Sequence, residues 1–439
     1  MSKARANLSS ALTPELRVWS ERIEQVARES GLDFFPLDFR LLDASDVNAV
    51  AAYGGFPVRY ASWRFGMDYE RLDKAHAWGL SRIYELVINT DPVIAYLVRS
   101  NLQGEQKLVM AHVCGHADFF KHNAWFAGTD RGMLDTMVRH AERVERCTER
   151  LGRERVESFL DIVLCLDNLI DPYQALRARL RRGEPQSLFP TSSLRTFDVL
   201  AYVSEHAPLE DWERELAEIV LAEARYFAPQ RMTRIMNEGW ASFWHSRILT
   251  GGVLSAAEIV DFAETHSGAT ATAPGRINPY KLGIELWRHA EARGEDLFRL
   301  RSLHNDASFV EELVDAEFVA RAQLFLQPRP RRSGGSDAAD RDPGRVKARL
   351  CAELAWGGVP RIELVDVGGA RELRLLHHHD GRDLNVPRAL ETVSRVQSLW
   401  RAPVTLETRV QGSGRLLACD GAATEVRELP SPSVSERAG

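Results

Sequence analysis

One apolar stretch with polar side chains set into it constrains this chain most: Val109-Met-Ala-His-Val-Cys-Gly-His-Ala-Asp-Phe-Phe-Lys-His-Asn123. It holds no proline, and His112 and His116 stand four residues apart within it. At 3.6 residues per turn, that spacing stacks two imidazoles on one helical face, about one turn apart. A helix apolar around most of its circumference is a buried one, and buried imidazoles need polar partners. Another segment must therefore bring polar groups to this face. Met236-Asn-Glu-Gly-Trp-Ala-Ser-Phe-Trp-His-Ser-Arg247 answers that need, with Glu238, Ser242 and His245 at i, i+4 and i+7 on one helical face.

Two histidines four apart on a helix are the zinc grip of the H-E-x-x-H metallopeptidases. Here Val113 follows the first histidine, so the ligand pair is present without its general base. The second stretch is similar to the Glu-Gly-Trp-Ala context in which some gluzincins carry their third ligand on a later helix. These residues point to zinc or another divalent transition metal held by His112, His116 and Glu238. His245 is the fourth ligand or a transition-state stabiliser. With four protein ligands such a site is structural; with three it keeps a position for water, whose pKa zinc brings down to about 7. The competing expectation is a metal-free buried polar network in which histidines and glutamate satisfy one another. Both require these residues to meet.

A hydrolase needs a base to replace the missing one. Glu85 and Asp118 are the nearby candidates, and Asp118 falls well off the histidine face. Glu85 stands in an apolar run after Tyr84, where it serves as the catalytic base, as acceptor for a metal-bound histidine, or as partner of Arg82. Asn237, Trp240 and His122 flank the two motifs and are candidates for the pocket. Tyr84, Asn278 and Tyr280 are further pocket candidates, the last two at the start of a later helix that Pro279 opens, a favoured first-turn position. His266 stands where a helix over 255–266 ends, as a pocket residue or, more simply, a C-terminal cap.

Periodicity predicts helices over 14–31, 134–151, 154–171, 209–226, 229–249 and 306–326. The acidic pair Glu157 and Asp161 reads as a solvated face. Residues 53–66, with five aromatics, three glycines and two arginines, read as a loop packed on the body, arginines against rings. The arginine-rich stretch 173–195 reads as an exposed connection. Proline, glycine, serine and charge without apolar anchors mark 327–344 as a linker. Beyond it come a helix near 345–356, strands at 361–367 and 372–378 in a hairpin, a helix from Pro387 to Trp400, and strands at 404–410 and 415–419. His377-His378-His379 lies at strand spacing, where the middle residue faces away from its neighbours, and reads as surface. The expected fold is α+β: a mainly helical body at 1–326 with a zincin-like helical site, the linker, a small α+β module at 345–425 and a disordered tail at 426–439.

Composition excludes some functions. A net charge of -6 across 439 residues argues against nucleic-acid binding through bulk charge. No run of 18 apolar residues exists for a membrane span, and the first residues lack the apolar core of a signal peptide. Five scattered cysteines without a CxxC pair fit a reducing compartment, so the expected location is cytoplasmic.

Several long motifs together resemble the SpoVR family, the stage V sporulation protein R type. They are Ala51-Ala-Tyr-Gly-Gly-Phe-Pro-Val-Arg-Tyr60, Gly79-Leu-Ser-Arg-Ile-Tyr-Glu-Leu-Val-Ile-Asn89, the Ala111–Asn123 and Met236–His245 stretches, and Ile277-Asn-Pro-Tyr280. The likeness continues in Asp380-Gly-Arg-Asp-Leu384 and Val404-Thr-Leu-Glu-Thr408, so it spans about 14 to 415. The resemblance implies a cytoplasmic bacterial protein tied to spore cortex formation, or to stationary-phase and stress programmes. It also implies a PrkA-type serine protein kinase and a von Willebrand-like protein as partners. It leaves the chemistry to the residues. The alternative to a hydrolase is a non-catalytic regulatory or scaffold protein acting with that kinase.

Overall fold

Helix α1 (Pro14–Glu29) starts where Thr13 accepts the Leu16 N–H and proline occupies the first turn, and it buries Ile23, Val26 and Ala27. Then follow β1 (Leu37–Leu42), α2 (Ala44–Ala52), α3 (Trp63–Ala77), β2 (Glu85–Ile88) and β3 (Val93–Val98). The strands form a sheet of order β1-β3-β2, with β1 parallel and β2 antiparallel to β3. The stretch 53–66 is a loop only as far as Ser62, because α3 begins at Trp63. Arg59 does lie over a ring there, 4.3 Å from the Phe65 centroid. The computed structural model describes residues 11–77, 85–174, 176–177, 195–255, 258–259, 278–324 and 342–429, without the side chains of 73–77, 85 and 279.

Next come α4 (Gln103–His122), α5 (Met133–Leu151), α6 (Arg153–Leu164), α7 (Val199–His206), α8 (Asp211–Met232), α9 (Arg234–Ile248) and α10 (Pro279–Ala292). The expected break before residue 229 is absent: α8 runs through Pro229, and the chain leaves helical geometry at Thr233. The chain continues through α11 (Leu297–Leu303), α12 (Asp306–Leu313) and α13 (Ala316–Arg321). The single helix expected at 306–326 is thus two. Val314 is extended, and Asp315 caps α13 by accepting the Phe318 N–H at 2.8 Å.

After α14 (Pro343–Leu354) come β4 (Ile362–Val367), β5 (Leu373–His377), α15 (Val386–Trp400), β6 (Val404–Val410), β7 (Ser413–Cys419) and β8 (Thr424–Glu428). They build a five-stranded sheet in sequential order, antiparallel except for β5 and β6, which α15 connects as a parallel pair. β8 occupies residues 426–428, which composition assigns to the tail. The architecture is α+β, and among the described residues no helix is long and apolar enough to cross a membrane.

The chain divides into two compact units, residues 1–141 with 233–351, and residues 142–232 with 352–439. The stretch 142–232, which sequence order attaches to the N-terminal body, therefore clusters with the C-terminal sheet. In this second unit Asp161 is no solvated acid: it holds Arg395 at 2.7 Å, while Glu157 pairs with Arg153 at 2.9 Å. Nor is the His377–His379 run a surface feature. His377 is buried, and all three histidines line a cavity of about 560 Å³. Arg195 pairs with Glu363 at 2.9 Å, and the rest of the arginine-rich stretch lies largely outside the described residues, as do most of the linker and the tail from 430.

In the first unit α4 packs on α1 and α9, and α9 packs on α10. The approaches are close because glycines allow them. A Cβ on Gly115 of α4 would sit 2.6 Å from the Ala241 Cα of α9, and one on Gly239 would sit 2.5 Å from the Gly283 Cα of α10. Backbones this near leave no depth for bulky side chains between the helices, so polar groups flanking the contact meet directly.

Candidate functional site

The α4–α9 contact brings His112, His116 and Glu238 together. Their ligand-capable atoms all lie within 4.8 Å of one another. Each histidine turns Nε2 toward the same carboxylate oxygen: Glu238 Oε2 is 3.6 Å from His112 Nε2 and 3.6 Å from His116 Nε2. The two rings stand at 89° with centroids 4.5 Å apart. At 3.6 Å these contacts are too long to be hydrogen bonds. Glu238 Oε2 is buried with no hydrogen-bond partner among the described residues.

The outward nitrogens are engaged. His116 Nδ1 lies 2.9 Å from Asn237 Oδ1, so it donates and leaves Nε2 with its lone pair toward the carboxylate. His112 Nδ1 lies 2.9 Å from His245 Nδ1, one of the two donating to the other. Burial, reinforced by the neighbouring His112, lowers the His116 pKa to about 4 and keeps that ring neutral. Burial works against charge on Glu238, yet its contact with His112 outweighs that and holds its pKa below the usual carboxylate range.

Other expected residues are placed as follows. His245 stands behind His112, outside the three-residue cluster. Tyr280 stacks near His112 with centroids 6.5 Å apart, and Asn278 caps α10 by accepting the Tyr280 N–H at 2.9 Å. Asp118 is wholly buried and accepts from the Asp33 N–H, the Trp240 indole and Arg301 at 2.9, 2.9 and 2.5 Å. Three donors on one carboxylate make a structural anchor, and Trp240 belongs to it. His122 pairs with Asp33 at 3.0 Å near the end of α4. Glu85 opens β2, opposite Leu97, and its side chain is outside the description, as are Tyr84 and His266 altogether.

One supporting residue has no signal in the sequence motifs. Asp306 of α12 accepts the Ile235 and Met236 N–H groups, both at 2.9 Å, and so caps the helix that carries Glu238. It comes from 68 residues downstream of that glutamate, beyond the reach of any local pattern.

A family model described as SpoVR like protein matches residues 11–196 and 181–358, and one described as SpoVR-like C-terminal domain matches 360–411. The chain belongs to the SpoVR family. A SpoVR relative from Escherichia coli (strain K12), "Uncharacterized protein YcgB", is 28% identical over 481 aligned positions, covering 92% of this chain and 93% of its own length. No solved structure matches the chain. The cluster draws on both segments of the SpoVR match, its histidines from the first and its glutamate from the second.

Proposed function

We propose that this SpoVR protein is a metal-dependent hydrolase of zincin type, with zinc or another divalent transition metal held by His112, His116 and Glu238. One observation carries the proposal. Donor atoms about 2.0–2.1 Å from a tetrahedral ion lie about 3.4 Å from each other, and Glu238 Oε2 stands 3.6 Å from both Nε2 atoms. That is the spacing of ligands around a shared cation. The orphaned carboxylate oxygen supports the same view, since a buried anionic oxygen without a donor is costly.

The chain's own residues prepare this arrangement. Asn237 fixes the His116 tautomer and His245 backs His112, the outer partners that orient metal-binding imidazoles. Asp306 holds the start of α9, which sets where Glu238 points. When bound, the ion supplies Lewis-acid polarisation of a carbonyl and activation of water. Three protein ligands leave coordination free for those tasks. Hydrolysis of a peptide or amide bond in a cell-wall precursor or a protein fits the cortex association implied by the resemblance.

A second reading has an observation of its own. Val113 stands where the zincin base would be, and three donors already engage Asp118. A non-catalytic regulator or scaffold acting with a PrkA-type kinase and a von Willebrand-like protein needs no base.

The deciding measurement is metal content of tag-free protein by elemental analysis, beside His112→Ala and Glu238→Ala. About one transition-metal ion per chain, lost in both folded variants, is the expected result. A wild type that stays metal-free after reconstitution sinks the hydrolase reading. Metal in all three proteins would sink the assigned ligand set.

A further inference from the structure

The cavity of about 560 Å³ in the second unit has the size of a small-molecule site. It opens where β5 and β6, the parallel pair joined through α15, both end: His377 ends one strand with His378, His379 and Asp380 beyond it, and Glu407, Thr408 and Arg409 lie near the end of the other. Carboxyl ends of parallel strands joined by a helical crossover are where open sheets hold ligands.

The wall opposite the sheet is aromatic. Trp356 packs against Tyr173 with centroids 5.4 Å apart and against Phe197 at 4.8 Å. The backbone holds Trp356 there at φ +57°, in the left-handed region, followed by Gly357 at +66° and Gly358 at +80°. A bulky residue in that conformation is strained, and such strain gathers at ligand clamps.

The charges on the lining are uneven. Asp380 is paired with Arg382, Glu363, on the same sheet face as the lining residue Leu376, takes Arg195 and His378, and Asp383 takes His379. Arg361 leans on the rings of Phe197 and Trp356, at 4.8 and 5.5 Å from their centroids. Neither Arg361 nor Arg409 has an ion-pair partner among the described residues. Glu407 is likewise unpaired among them and offers an acceptor on the same lining.

We propose that this cavity binds a small organic anion with a flat ring, of the nucleotide class. The ring stacks on Trp356, sugar hydroxyls donate to Glu407, and the phosphate meets Arg361 and Arg409. Arginine is suited to such a task, because its planar fork matches phosphate and its face stacks on aromatics.

Calorimetric titration of the full chain with AMP tests this, with adenosine and inorganic phosphate as separate probes. The expected result is one AMP per chain with a dissociation constant below about 1 mM. Arg409→Met, on an exposed side chain, should weaken AMP roughly tenfold or more. Trp356→Gly, which the positive φ favours, should weaken it and abolish any quenching of tryptophan fluorescence. Absence of AMP binding at about 5 mM, or unchanged affinity in Arg409→Met, overturns the proposal. Phosphate binding as tightly as AMP overturns the ring contact, and adenosine binding as tightly overturns the anion contact. Should Trp356→Gly fail to fold, Arg409→Met and the two partial probes still decide.

Discussion

Asn237 Oδ1 lies 2.9 Å from His116 Nδ1, and the next residue in α9 is Glu238. One side chain sets the imidazole's tautomer while its neighbour supplies the carboxylate that the imidazole faces. Asn237→Ala should therefore lower metal affinity about 10–100-fold through loss of this outer partner. Helical content should not change. Chelator competition against wild type checks the prediction, and equal affinities would remove Asn237 from the site.

The site also depends on backbone proximity. Gly115→Ala and Gly239→Ala each place a Cβ where another helix's backbone already stands. Each should cost about 1–3 kcal/mol or more through overpacking, and metal should be lost with the displaced helix. Gly104, near the start of α4, has open space where its Cβ would lie. Gly104→Ala is the control and should be neutral or stabilising by about 0.5–1 kcal/mol. Denaturant midpoints distinguish the two outcomes, and equal midpoints for all three variants would contradict the packing account.

Much of this arrangement is legible in sequence because it is local. His112 and His116 at i and i+4 define their shared face, and Asn278 with Pro279 marks a helix start that the structure keeps. What fails is what depends on distant partners. His245 follows Glu238 by seven residues, about 10 Å along a helix axis, too far for the two to share an ion easily. It meets the outer nitrogen of His112 instead. β3 is buried at every position, so no alternation marks it as a strand, and β8 is exposed at every position, so none marks it either. Strand alternation correctly sends His378 to the face opposite His377, yet Trp356 and Tyr173 enclose that side too.

Acid stability should show two opposed contributions in the metal-free protein. Burial lowers His116 to about 4 and raises Asp306 to about 7. As pH falls from about 6.5 to 4, the unfolded chain binds a proton at His116 that the folded chain refuses, so stability is lost. As pH falls from about 7 to 4, the folded chain keeps a proton on Asp306 that the unfolded chain releases, so stability is gained. In the shared window the two largely cancel. Asp306→Asn should expose a loss of up to about 1.4 kcal/mol per unit of falling pH, and His116→Gln a gain of the same order. Urea titrations between pH 4 and 6.5 with chelator present measure both slopes. Matching slopes in the two variants would contradict the assignment.

The first unit also contains a buried cation whose removal and whose partner's removal should differ. Lys107 is 2% exposed in α4, with Nζ 2.5 Å from Glu258 and 3.5 Å from the centre of the Trp19 ring. Its hydrogen bond lowers the Glu258 pKa to about 2. Glu258 is more exposed than Lys107, at 23% of its side chain, so the costs are asymmetric. Glu258→Ala leaves an ammonium buried without its carboxylate and should destabilise by about 3 kcal/mol. Lys107→Met keeps the apolar stem against Trp19 and frees a carboxylate that water reaches, which should cost about 1 kcal/mol or less. The double variant should resemble Lys107→Met, because the stranded charge is gone. Thermal or urea unfolding of the three variants completes the cycle, and additive costs would show that the pair is not coupled.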